Sequence, residues 1–265
     1  MILAVLTSAL PVSGERDAWV CPGCGREGNT GNFCGTCAHP APSPDPTAML
    51  TPVSAGSTVI FGRYEQDNNT KNGPEEIEWI VLDYDEKEHK ALLLSRYGLV
   101  GKPYNIKRMD ITWESCTLRD WLNGEFLQSA FSAEEQAAIL TTAVDNSASQ
   151  RYSKWNTDGG NNTQDQIFLL SYSEANRYLD VTDDDDDNTK ARIAPTANAK
   201  GAWTSNVYLT ADGVAAGWWW LRSPGNYQTN AAIVRPSGSL GHSIADSLYG
   251  VVRPAFWLNL DSGIL

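Results

Sequence analysis

The chain of 265 residues is 42% hydrophobic and carries 20 basic against 32 acidic residues, a net charge of -12. That length suits one substantial core with a small appendage. The acidic balance argues against nucleic acid as a main partner, because binding it depends on phosphate neutralisation by Lys and Arg, and no apolar run reaches the length of a membrane span.

Residues 1–12 are apolar but have no Lys or Arg before them, and the first charge is Glu15, a poor match to a signal peptide. Residues 1–18 are therefore read as a frayed or disordered start. Cys21-Pro-Gly-Cys24 and Cys34-Gly-Thr-Cys37 form two CxxC knuckles nine residues apart. Four thiolates on two tight turns match tetrahedral Zn2+, and so short a segment lacks an apolar core, so metal would supply its stability. Residues 19–40 are read as a zinc ribbon holding a structural Zn2+ through Cys21, Cys24, Cys34 and Cys37. Two disulfides are the competing chemistry, favoured only in an oxidising compartment. Zinc with thiolate ligands favours a cytoplasmic setting; display on a cell or virion surface stays open. His39 is expected to be solvated, since four sulfurs complete the shell. Residues 41–56, rich in Pro and Ser, read as a stiff linker.

The main domain, 57–265, is expected to be α+β, with short antiparallel strands, two main helices and long loops. Residues 58–64, 77–84 and 90–96 are β-prone, and a charged turn at 85–88 joins the last two. Leu118, Trp121, Leu122 and Phe126 recur at helical spacing over 117–127, and Ser132 with Glu135 makes a capping box for a second helix reaching about residue 140. Cys116 has no base near it in sequence and reads as a packed thiol. Residues 144–166 are polar and read as a surface loop, 167–170 as a buried strand, and 173–179 as a short helix with Ser173 as a possible cap. The five aspartates at 183–187 lack the spaced ligand pattern of a calcium loop, so no calcium requirement is expected.

The C-terminal stretch, about 218–260, encloses a segment of different composition between two aromatic-rich ends, WWWLRSPG (218–225) and GVVRPAFWLNL (250–260). Between residues 57 and 225, Lys, Glu, Gln, Met and Trp make up 34 of 169 residues, while residues 226–249 contain only Gln228 of that set. The three tryptophans are expected to alternate across a strand, with turns at Ser223-Pro224-Gly225 and Pro236-Ser237-Gly238. Trp220, Leu221, Val251, Pro254, Phe256 and Leu258 should be buried, and Arg222 and Arg253 should hold backbone or carboxylates. Tyr mixed with Asn, Ser, Thr, His and Asp on a stiff frame is the composition of a binding surface. The candidate ligand-binding residues are Asn226, Tyr227, Gln228, Thr229, Asn230, Ile233, Arg235, Ser237, His242, Ile244, Asp246, Leu248 and Tyr249.

These two ends, with VIFGRYEQ (59–66), IEWIVLDY (77–84), ALLLSRYGL (91–99), TWESCTLRDWLNGEFLQSAFS (112–132) and IFLLSYSEA (167–175), resemble the variable proteins of diversity-generating retroelements of bacteria and phages. The resemblance covers roughly residues 57–260. It implies a C-type-lectin fold related to formylglycine-generating enzymes, and a variable region that an error-prone reverse transcriptase rewrites at adenines, typically in AAC codons. Such codons cannot become Lys, Glu, Gln, Met or Trp, which matches the gap at 226–249. The implied function is non-catalytic binding of a protein or other macromolecular ligand. An enzyme of the formylglycine-generating type is the alternative, but the reactive cysteine pair of that group has no counterpart in the sequence.

Overall fold

The computed structural model describes residues 4–6, 50–184, 188–200, 208–209 and 215–265. Two compact units are present, residues 1–53 and 54–265. In the first, strands β1 (Ala4–Leu6) and β2 (Leu50–Pro52) pair antiparallel. The pairing lets this apolar Ala-Val-Leu run satisfy its backbone groups in a ladder. Cys21, Cys24, Cys34 and Cys37, and with them the expected zinc ribbon, lie outside the described residues.

The second unit is mixed α+β, mostly strands with a few short helices. One antiparallel sheet contains β3 (Thr58–Tyr64), β4 (Glu75–Asp85) and β5 (Lys90–Ser95), which follow one another in sequence and space. Its fourth strand, at the far edge beside β5, comes from the C-terminal end of the chain. β3 bulges at Gly62, which adopts φ +70° where a Cβ would sit 2.5 Å from the Phe131 ring. After β6 (Val100–Gly101), the expected 117–127 helix forms as α1 (Thr117–Trp121), a π turn over Leu122–Phe126, and α2 (Leu127–Ala130), with Leu118, Leu122 and Phe126 buried. α3 (Ala133–Ala138) carries the expected capping box between Ser132 and Glu135. Glu135 also accepts the Gly62 amide at 3.0 Å, which ties the helix start to the bulge.

The segment 144–166 is less loop-like than its composition implied. β7 (Thr142–Val144) pairs with β8 (Thr163–Asp165), and buried Asp165 accepts the Trp113 indole N–H at 2.9 Å, the Arg119 Nε–H at 2.6 Å and the Thr163 hydroxyl at 2.7 Å. A charge so enclosed persists because it is paired and hydrogen-bonded. Residues 167–170 are buried and strand-like, joined to the last strand by reciprocal bonds between Phe168 and Ala255. α4 (Tyr172–Leu179) is capped by Ser171, with Glu174 completing the box, and Ser173 is not the cap. Three further elements follow before the C-terminal stretch: α5 (Ala197–Lys200), β9 (Tyr208–Leu209) and β10 (Ala215–Ala216), the last two paired antiparallel.

The C-terminal stretch supplies β11 (Trp219–Pro224), β12 (Asn230–Val234), β13 (Leu240–Ile244), β14 (Val251–Val252) and β15 (Ala255–Asn259). β15 completes the first sheet. The others form a second sheet in the order β13-β12-β11-β14-β6, antiparallel except for the β11–β14 pair. Phe256 packs among Trp79, Phe61 and Phe131, with its centroid 4.7 Å from Trp79 and 5.7 Å from each of the others. No helix among the described residues is long and apolar enough to cross a membrane.

Candidate binding face

The frame of the C-terminal stretch is buried: Trp220, Leu221, Val251, Pro254, Phe256 and Leu258 are all shielded from solvent. Trp219 and Trp220 lie on β11 and are buried, and half-buried Trp218, just before the strand, meets the Trp220 ring edge-on at 4.9 Å. Trp219 donates to the Ala191 carbonyl at 3.1 Å and stacks against the Arg253 guanidinium at 4.9 Å. Trp220 donates to the Lys102 carbonyl at 2.9 Å and packs against Gly250, where a Cβ would come within 1.9 Å of its indole nitrogen. Only Gly admits that ring.

The two arginines hold the frame as expected. Arg222 donates to the Leu169 carbonyl at 2.8 Å and the Asp145 carbonyl at 3.1 Å, and forms a bidentate pair with Glu174. Glu174 thereby joins the start of α4 to β11. Arg253 donates from Nε to the Ser95 carbonyl at 2.8 Å, and burial lowers its pKa to about 9.

Between these fixed ends, the backbone of residues 226–250 is held by main-chain bonds. Gly225 N–H donates to Asn230, Asn230 N–H to Tyr227, and Ala245 N–H to Thr229, at 2.8–3.0 Å. A second segment, 102–111, is laced alongside: Asn105 N–H donates to Ala245 at 2.9 Å, Ile111 N–H to Gln228 at 3.0 Å and Lys102 N–H to Gly250 at 2.9 Å. Residues 106–110, all exposed, project between the first two of these anchors.

The candidate residues divide into three groups on this scaffold. Tyr227, Arg235, His242, Ile244, Leu248 and Tyr249 are exposed, and Asn226, Gln228, Thr229, Ser237 and Asp246 are half-buried. Asn230 and Ile233 are buried, which removes them from a ligand-facing set. β12 runs between β11 and β13 with both faces covered, so its side chains pack inward; Asn230 bonds to Asn226 and to His242 Nδ1, each at 3.2 Å. Gln228 is a structural pin. Its Nε2 donates to the Ile111 carbonyl at 3.0 Å and the Asp158 carbonyl at 2.8 Å, and its Oε1 accepts the Asp158 N–H at 2.9 Å. On the far side, Thr157 donates to the Gly225 carbonyl at 2.7 Å and the Trp155 ring meets His242 edge-on at 5.5 Å. An open, polar depression of about 280 Å³ lies there, lined by Asn146, Arg151 and residues 156–160. The His242 pKa is lowered, by desolvation first and then by Arg235, which keeps its imidazole neutral at physiological pH.

Large apolar side chains exposed among the described residues are Tyr84, Ile106, Met109, Tyr227, Ile244, Leu248 and Tyr249. All but Tyr84 lie on residues 226–249 or on the 106–110 loop tied to them. The most open are Tyr227 and Ile106, each 67% exposed, and Leu248 at 64%. These exposed groups therefore sit on two segments joined by main-chain bonds. Sequence reasoning missed Ile106 and Met109, since nothing local in IKRMD distinguishes it from an ordinary polar loop.

The Cys116 thiol is fully buried, and desolvation pushes its pKa up to about 12, so it is unsuited to act as a nucleophile. Oxygens of Glu65, Asp67 and Glu75 approach within 4.8 Å of one another. Glu65 and Asp67 accept the Asn69 N–H and Glu75 accepts the Gln66 N–H, bonds that shape their own loop.

Residues 88–260 match the family model described as a domain of unknown function, DUF6273. The match spans well over half of the chain, which therefore belongs to that family. No curated protein and no solved structure matches the chain. The family match begins in the turn between β4 and β5, so β3 and β4 complete its first sheet from outside the matched region.

Proposed function

We propose that the 54–265 unit is a non-catalytic binding module on a C-type-lectin-like scaffold, with residues 226–249 as a diversified ligand-binding surface of the retroelement-driven kind. The observation that carries this reading is the gathering of exposed Tyr, Ile and Leu side chains on a segment whose backbone is fixed by main-chain bonds. Main-chain bonds do not depend on side-chain identity, so such a segment tolerates change outward while keeping its shape. Gln228 supports the same reading. It is the one residue of 226–249 that an AAC-type codon cannot reach, and it is also the side chain that staples the segment to Ile111 and Asp158. The first unit, on this reading, carries a structural Zn2+ on Cys21, Cys24, Cys34 and Cys37, the four thiolates completing a tetrahedral shell.

The decisive experiment is to sequence the gene and its surroundings. We expect C-ending codons at Tyr227, Ile244 and Tyr249, and a near-copy of the 218–260 coding stretch with adenines at those codons, beside a reverse transcriptase gene. A locus with no such copy would refute retroelement diversification. The binding reading is tested separately by replacing Tyr227, Ile244 and Tyr249 together with Ser, as developed below.

A further inference from the structure

The 106–110 loop differs from residues 226–249 in chemistry. Its exposed residues are Ile106, Lys107, Arg108, Met109 and Asp110. Two of its five residues are adjacent cations and two are large apolar groups, on a chain whose net charge is -12. Neither Lys107 nor Arg108 has an ion-pair or hydrogen-bond partner for its side-chain charge among the described residues. In contrast, Arg96, Arg119, Lys154, Arg177, Lys190 and Arg222 each have a carboxylate within 4.0 Å. With acidic residues in such excess, two unpaired neighbouring cations beside exposed Ile and Met leave a local positive, apolar strip. The strip cannot drift from the candidate face, because Asn105 and Ile111 at its two ends are bonded through the backbone to Ala245 and Gln228.

We propose that the 106–110 loop is a constant arm of the binding face, and that it docks a folded protein partner whose contacting surface presents apolar side chains ringed by carboxylates. This rests on the reading of residues 226–249 as a binding surface, and adds to it a fixed contact that varied sequences share. Ile106 and Met109 supply desolvated anchors. Lys107 and Arg108 supply the charge that orients the carboxylate ring of the partner's contacting surface onto the loop. An anionic membrane is disfavoured as the occupant because Asp110 lies within the loop itself and the chain as a whole is strongly negative. A second copy of the chain would bring its own net charge of -12 against the first.

The test uses the full chain as bait for a yeast-displayed library of a small helical scaffold with randomised surface positions. Selected clones should compete with one another and be enriched in Asp and Glu beside apolar residues. They should bind K107E/R108E at least about tenfold more weakly, with slower association and a flatter salt dependence. They should also lose binding to I106S/M109S, while both variants keep the parent melting temperature. Clones unaffected by these variants but lost with the Tyr227, Ile244 and Tyr249 triple change would overturn the loop's role and leave the face reading standing. Clones affected by neither set, or a library that yields no binder to this face, would overturn both. Co-sedimentation with phosphatidylserine-containing vesicles, or self-association on analytical ultracentrifugation, would also overturn the proposal if abolished by I106S/M109S, since the occupant would then be a membrane or a second copy.

Discussion

Gln228 and its neighbour Tyr227 offer a sharp contrast within two adjacent positions. Gln228→Ala removes three side-chain hydrogen bonds, to Ile111 and twice to Asp158, from a side chain that joins three separate segments. A neutral hydrogen bond contributes about 1 kcal/mol net. Since water can reach the Asp158 side of the pair, we expect a loss of about 2 kcal/mol rather than the full sum. For a unit of this size each kcal/mol moves the melting temperature by about 2–4 °C, so the shift should be about 4–8 °C. Tyr227→Ala, at a position 67% exposed and without a side-chain hydrogen bond, should cost less than about 0.5 kcal/mol. Gln228→Glu should be at least as harmful as the Ala variant, because a carboxylate would face the Ile111 and Asp158 carbonyls in place of a donor. Urea unfolding followed by tryptophan fluorescence measures all three, with equal slopes expected. If Gln228→Ala and Tyr227→Ala unfold at the same midpoint, Gln228 is not a pin and the structural argument for its fixed identity fails.

Four further outcomes are expected. Phe256→Ala, which empties the centre of the Trp79–Phe61–Phe131 cluster, should cost about 3–5 kcal/mol, and an unchanged melting curve would contradict the packing described. Replacing Tyr227, Ile244 and Tyr249 together with Ser should leave stability within about 1 kcal/mol of the parent while removing binding to clones selected against this face; failure to fold would show these side chains to be structural. Cys116 should resist Ellman's reagent in the native chain and react on unfolding. Its neutral thiol contributes stability that is present below about pH 9 and lost as pH rises toward about 12, so early reactivity at neutral pH would disprove its burial. Reductively purified protein should hold one zinc per chain by elemental analysis, and Cys21→Ala should abolish it without unfolding residues 54–265; a metal-free parent would eliminate the ribbon.

The parts of the fold that are legible in sequence are those set by local chemistry. The β-prone runs at 58–64 and 90–96 and the Ser132–Glu135 box are written into adjacent residues, and the structure places strands and a helix cap there. The cap of α4 is equally local: Ser171 and Glu174 have the same spacing as Ser132 and Glu135, so the box spacing marks Ser171 rather than Ser173 as the cap. Asn230 and Ile233 were illegible for a different reason. β12 pairs with its sequence neighbours β11 and β13, but whether its side-chain faces are covered depends on what packs on them, and all five of its residues are buried. The 106–110 loop joins the face through bonds such as that from Gln228 to Ile111, which spans 117 positions. No period or motif encodes such a contact.

This division has a consequence for how the face can change. The positions that set its shape act through main-chain groups, or through Gln228, Asn230 and the buried Trp220–Gly250 contact. Those that set its chemistry, from Tyr227 to Tyr249, project outward with little intramolecular work, so replacing them costs stability only in the tenths of a kcal/mol typical of free surface, about 0.5 or less each. On the proposed reading, a surface built this way would separate specificity from folding. On that reading, mutation at the exposed positions would sample new ligands at nearly constant stability, whereas mutation at Gly250, where any Cβ collides with the Trp220 indole, must displace a buried ring and with it the anchor to Lys102. Gly250→Ala should therefore be more destabilising than any single change at Tyr227, Ile244, Leu248 or Tyr249. A denaturation series in which it ranks among them would mean that the frame yields, and that shape and specificity are not separated after all.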